Sequence, residues 1–170
     1  MNNSLKNPSF AILLQSVKLE NIDDAIRKSG EIISRNDINW QDLFCLAELH
    51  SIIPQLAKLI NRVDKSLVPE DFMQKLNQAH QEILVRQMSF VSEFLRLRRS
   101  LHDAGIMAVP FKGFWLASEF YGNLADRGSV DIDLFVHENN LEQIRVIMER
   151  EGYKPQVDFL QYSIEEIKKN

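Results

Sequence analysis

Apolar residues recur at helical spacing from Leu43 to Ile60, and Asn39 ahead of Trp40, with Asp42 three residues on, predicts a capped helix start there. Pro54 has no backbone N–H to give, so it must kink or split that segment. A longer pattern runs from Asp71 to Ala104. Leu84, Met88, Val91 and Leu95 fall on one helical stripe and Phe90, Phe94, Leu97 and Leu101 on an adjacent one, a face wide enough to touch two partners. Gly105, just past the last periodic residue, predicts the helix end, in the left-handed cap that glycine adopts most easily. The first hundred residues are therefore expected to be all-helical.

After Gly105 the period changes. "IMAVPF" predicts a short strand, "GFWLASEFYG" a helix, "VDIDLFV" a strand and "NNLEQIRVIMEREG" a second helix. The expected class is α+β: a helical region over residues 1–104, then a core over 105–170 with a small mixed β-sheet and flanking helices. There is no internal repeat, and Pro and Gly are too sparse to mark a flexible linker.

Composition narrows the function classes. At 170 residues and 45% hydrophobic the chain can bury a sizeable core. Its 24 acidic and 20 basic residues leave a net charge of -4, so no basic field gathers nucleic acid in bulk. The apolar run Phe10 to Leu14 is too short for a membrane span and lacks the flanks of a secretion signal, which makes a cytoplasmic location the expectation. The single cysteine, Cys45 in "LFCLAEL", cannot form an internal disulfide, and its apolar neighbours predict a buried thiol.

The candidate chemistry lies in "VDIDLFV". Side chains alternate across a strand, so Ile132, Leu134 and Val136 share the core face while Asp131 and Asp133 share the other. Two steps of ~3.3 Å separate the carboxylates by about 6.6 Å. Their repulsion is then on the order of 2.5 kcal/mol at an effective dielectric of ~20, and below about 1 kcal/mol in open water. An exposed strand face carries such a pair at little cost, so its surroundings decide. "IMAVPF" runs into Lys112-Gly113 and then a helix, where backbone N–H groups and the lysine charge suit an anionic phosphate. Arg127, four residues before Asp131, has donors that can reach a phosphate or an aspartate.

The order F-K-G, helix, Y-G, R-x-x-x-D-I-D-L-F-V, helix, E-G-Y resembles the nucleotidyltransferase superfamily of the DNA polymerase beta type, in the bacterial nucleotidyltransferase branch with K-G in place of the usual Gly-Ser. "CLAELHSIIPQLAKLI" is similar to the helical region ahead of that branch's core. The resemblance implies that Asp131 and Asp133 hold Mg²⁺ or Mn²⁺, that Lys112 and Gly113 form the phosphate-contacting turn, and that Arg127 is the arginine before the acidic strand. It implies transfer of a nucleoside monophosphate from an NTP to a hydroxyl on a small molecule, an RNA end or a protein, with two metals about 3.5 to 4 Å apart. Gly128-Ser129 is a decoy for the Gly-Ser signature, too close to the aspartates for an intervening helix.

A third carboxylate completes the site in the superfamily. Asp158 in "QVDFLQY" is the candidate within the chain, as in minimal members. The branch instead carries this acid well downstream of E-G-Y, which makes the chain an expected fragment or truncated form that binds NTP with its metal and turns over slowly. A non-catalytic NTP-binding or interaction module of the same shape is the alternative. Arg96, Arg98 and Arg99 near the end of the long helix suit its negative terminus, with a triphosphate or RNA contact as the alternative. His50, His80, His102 and His137 lack the spacing of a helical metal pair. Phe114 and Trp115 are expected in the core, with stacking on a base as the alternative.

Overall fold

Each early helix begins on an asparagine whose side chain satisfies backbone donors that the helix itself leaves open. In the computed structural model, which describes residues 7–18, 21–117, 119, 124–126 and 129–155, Asn7 caps α1 (Pro8–Ser16), Asn21 caps α2 (Ile22–Arg35) and Asn39 caps α3 (Trp40–Leu49). Asn39 accepts from the Asp42 N–H at 3.0 Å, as the sequence predicts. Pro54 does split the segment, falling in the first turn of α4 (Ile53–Ile60) where its missing N–H costs nothing. The long helix α5 spans Glu70–Asp103. Strands β1 (Val109–Phe111) and β2 (Asp133–Phe135), the short helix α6 (Gly113–Leu116) and α7 (Leu141–Arg150) complete the regular elements, with 3-10 turns at Lys65–Leu67, Leu124–Asp126 and Glu138–Asn140. The class is α+β, mostly helical, with β1 and β2 paired antiparallel.

The described residues fall in two compact units, one within Met1–Val91 and Lys112–Ile132, the other within Ser92–Phe111 and Asp133–Asn170. The first is built on α1 to α4 and the start of α5. Ile12, Leu43, Leu56, Leu59, Ile60 and Leu76 are fully buried there, each contributing roughly 1.5 to 3 kcal/mol of transfer free energy. Trp40 and Phe72 pack with ring centroids 4.8 Å apart, tying α3 to α5. Cys45 departs from expectation, because it is exposed. Leu43, Phe44 and Ala47 turn into the core, and Cys45 lies on the other side of α3 with the Gln41 amide 3.2 Å from its sulfur.

The second unit has a smaller core of Leu101, Ile106 and Ile147, with Leu134 and Ile144 packed against it. Two helix ends are closed in the same way. Gly105, at φ +75°, lets the Ile106 N–H reach the Leu101 carbonyl at 2.9 Å, and Gly152, at φ +95°, lets the Tyr153 N–H reach the Met148 carbonyl at 2.9 Å. E-G-Y is therefore the cap of α7. The strands pair Val109 with Phe135, Pro110 with Leu134 and Phe111 with Asp133. Leu134 faces the core as the alternation predicts, while Phe111 and Phe135 meet on the other face, centroids 4.4 Å apart. Both strands are shorter than "IMAVPF" and "VDIDLFV" predict. Of the predicted helix "GFWLASEFYG", α6 is the regular part, and residues 118 and 120–122 lie outside the described residues.

Charged side chains bind α7 to α5 within this unit. Arg96 pairs with both Glu93 (2.6 Å) and Glu151, Ser100 donates to Glu151 at 2.8 Å, and the Tyr153 hydroxyl donates to Glu93 at 2.5 Å. The Arg96 guanidinium, followed by the Tyr153 hydroxyl, holds the Glu93 carboxyl at about 2, below its ordinary 4.5. A carboxyl depressed in the folded state stabilises the fold above its unfolded value and stops doing so as pH falls toward the folded one. The melting temperature of the parent is therefore expected to exceed that of Glu93→Gln near pH 6, and the gap to close between about pH 4.5 and pH 2. Thermal melts of both proteins across that range check this, and a gap constant with pH would contradict it.

Candidate active site

Backbone geometry singles out the turn after β1. Lys112 has φ 62° and ψ -150°, a conformation nearly confined to glycine, and Gly113 follows at φ +51°. The second residue leaves little room for a side chain. A Cβ built on Gly113 would stand 3.0 Å from the Ser129 hydroxyl oxygen and 3.6 Å from the Asp131 carbonyl oxygen. The turn thus lies with its backbone directly against the segment that leads into the acidic strand. Ser129 in turn donates to the Asp131 carbonyl at 3.0 Å, with the Asp131 carboxylate 3.4 Å away.

This contact also limits β2. The Asp131 carbonyl, an acceptor that a longer ladder would use, is taken by the Ser129 hydroxyl, and β2 begins only at Asp133. Asp131 is exposed in the bend before the strand and belongs to the first compact unit with Lys112, Gly113 and Ser129. Asp133 is half-buried, opens β2 opposite Phe111, and belongs to the second. Arg127 and Asp158 lie outside the described residues. Among the described residues no three His, Cys, Asp or Glu side chains gather as a metal site.

Other candidates resolve differently. Arg96 is committed to Glu93 and Glu151, which is the structural role, whereas Arg98 and Arg99 are exposed. Phe114 is buried as expected, but Trp115 is 48% exposed on the opposite side of α6. Ser129, a decoy by sequence spacing, is the residue that touches both the Gly113 turn and Asp131. No sequence signal marks it, because its partners come from a turn sixteen residues earlier in the chain.

Strain at Lys112 has a measurable consequence. A Cβ in this conformation costs on the order of 1 to 3 kcal/mol, which only glycine escapes. Lys112→Gly and Lys112→Ala lose the same charge and the same side-chain contacts, so their difference isolates the backbone. The glycine variant is expected to be more stable than the alanine variant by about 1 kcal/mol after the extra entropy of unfolded glycine is counted. Urea denaturation of the pair measures it, and an alanine variant of equal or greater stability would contradict the strain.

Comparison with known proteins bears on the same residues. A family model described as "Uncharacterised nucleotidyltransferase" matches residues 36–168, a span that includes the turn at Lys112, the acidic segment and Asp158. No curated protein and no solved structure matches the chain. Because that span covers all of α3 to α7 and well over half of the sequence, the chain belongs to the uncharacterised nucleotidyltransferase family.

Proposed function

We propose that this nucleotidyltransferase transfers a nucleoside monophosphate from an NTP to a hydroxyl acceptor, with Asp131 and Asp133 holding a divalent metal and Lys112, Gly113 and Arg127 binding the triphosphate. The observation that carries the proposal is the close approach of the Gly113 backbone to Ser129 and Asp131, which sets an oxygen-rich acidic segment beside a turn that a lysine charges positively. The donor set fits the metal. Two carboxylates two residues apart offer hard oxygen ligands, the kind that Mg²⁺ and Mn²⁺ take, and one of them is open to solvent.

When bound, the metal supplies positive charge that offsets the charge of the phosphate oxygens. The chain's own residues do the rest. Lys112 and Arg127 bind and orient the triphosphate, and the absence of a side chain at Gly113 lets the turn lie against Ser129, close to the acidic segment. The acceptor oxygen attacks the α-phosphorus, the bond from that phosphorus to the oxygen bridging the β-phosphate breaks, and pyrophosphate leaves with the bond's electron pair. The hydroxyl proton passes to a carboxylate base, for which Asp158 is the candidate within this chain, and loss of such a base typically costs about 10²- to 10⁴-fold in rate.

Thermal shift with each of the four NTPs and Mg²⁺ or Mn²⁺, followed by label transfer from α-labelled NTPs, tests the proposal. Asp131→Asn and Asp133→Asn are expected to lose most of the metal-dependent NTP stabilisation while leaving the ligand-free melting temperature unchanged or raised. Transfer by this chain is expected to be slow and Asp158→Asn to keep NTP binding; robust transfer that Asp158→Asn abolishes would instead make Asp158 the third carboxylate. Lys112→Ala and Arg127→Ala are expected to weaken triphosphate binding more than nucleoside binding, a difference that added salt narrows. Equal destabilisation of both aspartate variants without ligand, with NTP binding intact, would overturn the metal assignment.

A further inference from the structure

The register of the two strands puts a carboxylate and an aromatic surface on one face. Val109 lies opposite Phe135 and Phe111 opposite Asp133, and cross-strand partners share a face. The face turned away from the Leu101, Ile106 and Ile147 core therefore carries Val109, Phe111, Asp133 and Phe135, all within the second compact unit. An antiparallel sheet with one face on a core ordinarily presents polar residues on the other. Here three of the four are apolar, and Val109, Phe111 and Phe135 are 48%, 43% and 57% exposed. The fourth is the half-buried Asp133.

The aromatic pair is ordered by contact rather than by burial. The Phe111 and Phe135 rings meet with centroids 4.4 Å apart and planes tilted by 52°, so each limits the rotation of the other. Phe135 is the more open of the two, and Phe111 braces it from the neighbouring strand. The strand sets its distance from the carboxylate. Same-face neighbours stand two steps of ~3.3 Å apart, so Phe135 lies about 6.6 Å along β2 from Asp133, while Phe111 flanks Asp133 across the ladder at about 5 Å.

A ligand that suits this face has a metal-bound anion at one end, a flat ring at the other and a short spacer between. An NTP has that order, since the ribose alone separates its α-phosphate from its base. Three half-exposed side chains are enough to cover a base, but fall well short of the roughly 800 Å² per partner that a stable protein interface buries. We propose that Phe135, braced by Phe111, stacks on the base of the NTP whose metal Asp133 holds, which makes the outer face of the sheet the nucleoside subsite. This rests on the metal role of Asp133 proposed above. The side chains of Val109, Phe111 and Phe135 have no polar atom to read a base edge, and every base has a π-face. The subsite therefore takes any nucleoside, with a modest preference for the larger purine rings.

Calorimetric titration of the full chain with Mg·ATP and with Mg·tripolyphosphate, which keeps the anion and lacks the nucleoside, tests the two ends separately. Phe135→Leu keeps an apolar side chain and removes the ring. It is expected to weaken Mg·ATP binding roughly tenfold and to leave Mg·tripolyphosphate unchanged, since base–aromatic stacking typically contributes a factor of about 5 to 150. Phe135→Trp is expected to match or exceed the parent's ATP affinity, Phe111→Leu to weaken ATP by a smaller factor, and Asp133→Asn to weaken both ligands. If Asp133→Asn weakens both ligands while Phe135→Leu binds Mg·ATP as the parent does, or loses both ligands equally, the stacking role is wrong and the metal role stands. If the parent binds neither ligand, or Asp133→Asn binds both as tightly as the parent, the metal role fails and the stacking role fails with it. Unchanged affinities in Phe135→Leu together with a lower melting temperature or a smaller oligomer would assign the face to another part of the chain or to a second copy, and overturn the subsite.

Discussion

Gly113 has no side chain because Ser129 occupies the place where one would begin. With the Ser129 hydroxyl 3.0 Å from the position of a Cβ, any substitution must push back either the turn or the segment that runs to Asp131. The same hydroxyl is bonded to the Asp131 carbonyl, so displacing it also disturbs the acidic segment. The bend at Asp131, the late start of β2 and the exposure of one carboxylate are all tied to this contact. The Lys112–Gly113 turn and the Asp131 segment are brought side by side by one backbone-to-hydroxyl contact.

The second compact unit is organised by a different balance. Its apolar core is small, with Leu101, Ile106 and Ile147 as its buried centre. Directional contacts supplement that core: the left-handed caps at Gly105 and Gly152, and the Glu93, Arg96, Ser100, Glu151 and Tyr153 network. Arg96 is on average a surface side chain, and isolated surface pairs contribute little. Here one guanidinium serves two carboxylates while a phenol and a hydroxyl serve them as well, which favours one geometry over the many that a lone pair would allow.

How much of this could be read in the sequence follows from how far apart the partners are. Caps and periodicity are local, and Asn39, Pro54, the extent of α5 and Gly105 all appear where the residues predict them. E-G-Y is legible as a family marker, and its physical meaning as cap and anchor emerges only with Glu93 across the unit. Cys45 misleads because four apolar neighbours imply burial, although helical geometry turns the one residue away from the core that the others face. The contacts to Asp126 and Ser129 join positions 71, 68 and 42 apart through single polar side chains. Such contacts leave no period and no composition bias, so Gln55, Lys58 and Gln87 read as ordinary helix residues. Ser129 is hidden for the same reason.

Lys112 puts the two demands on the turn into numbers. Its backbone conformation suits glycine, and a lysine there costs on the order of 1 to 3 kcal/mol. Glycine would remove that cost and also the only side-chain cation between Phe111 and Arg127. A unit charge about 4 Å from an anionic oxygen gains about 4 kcal/mol at an effective dielectric of ~20. An attraction of that size exceeds the strain. On the triphosphate role proposed for Lys112, the backbone strain at this turn is offset by the charge that the lysine brings to the phosphates, a gain that glycine in the same conformation could not supply.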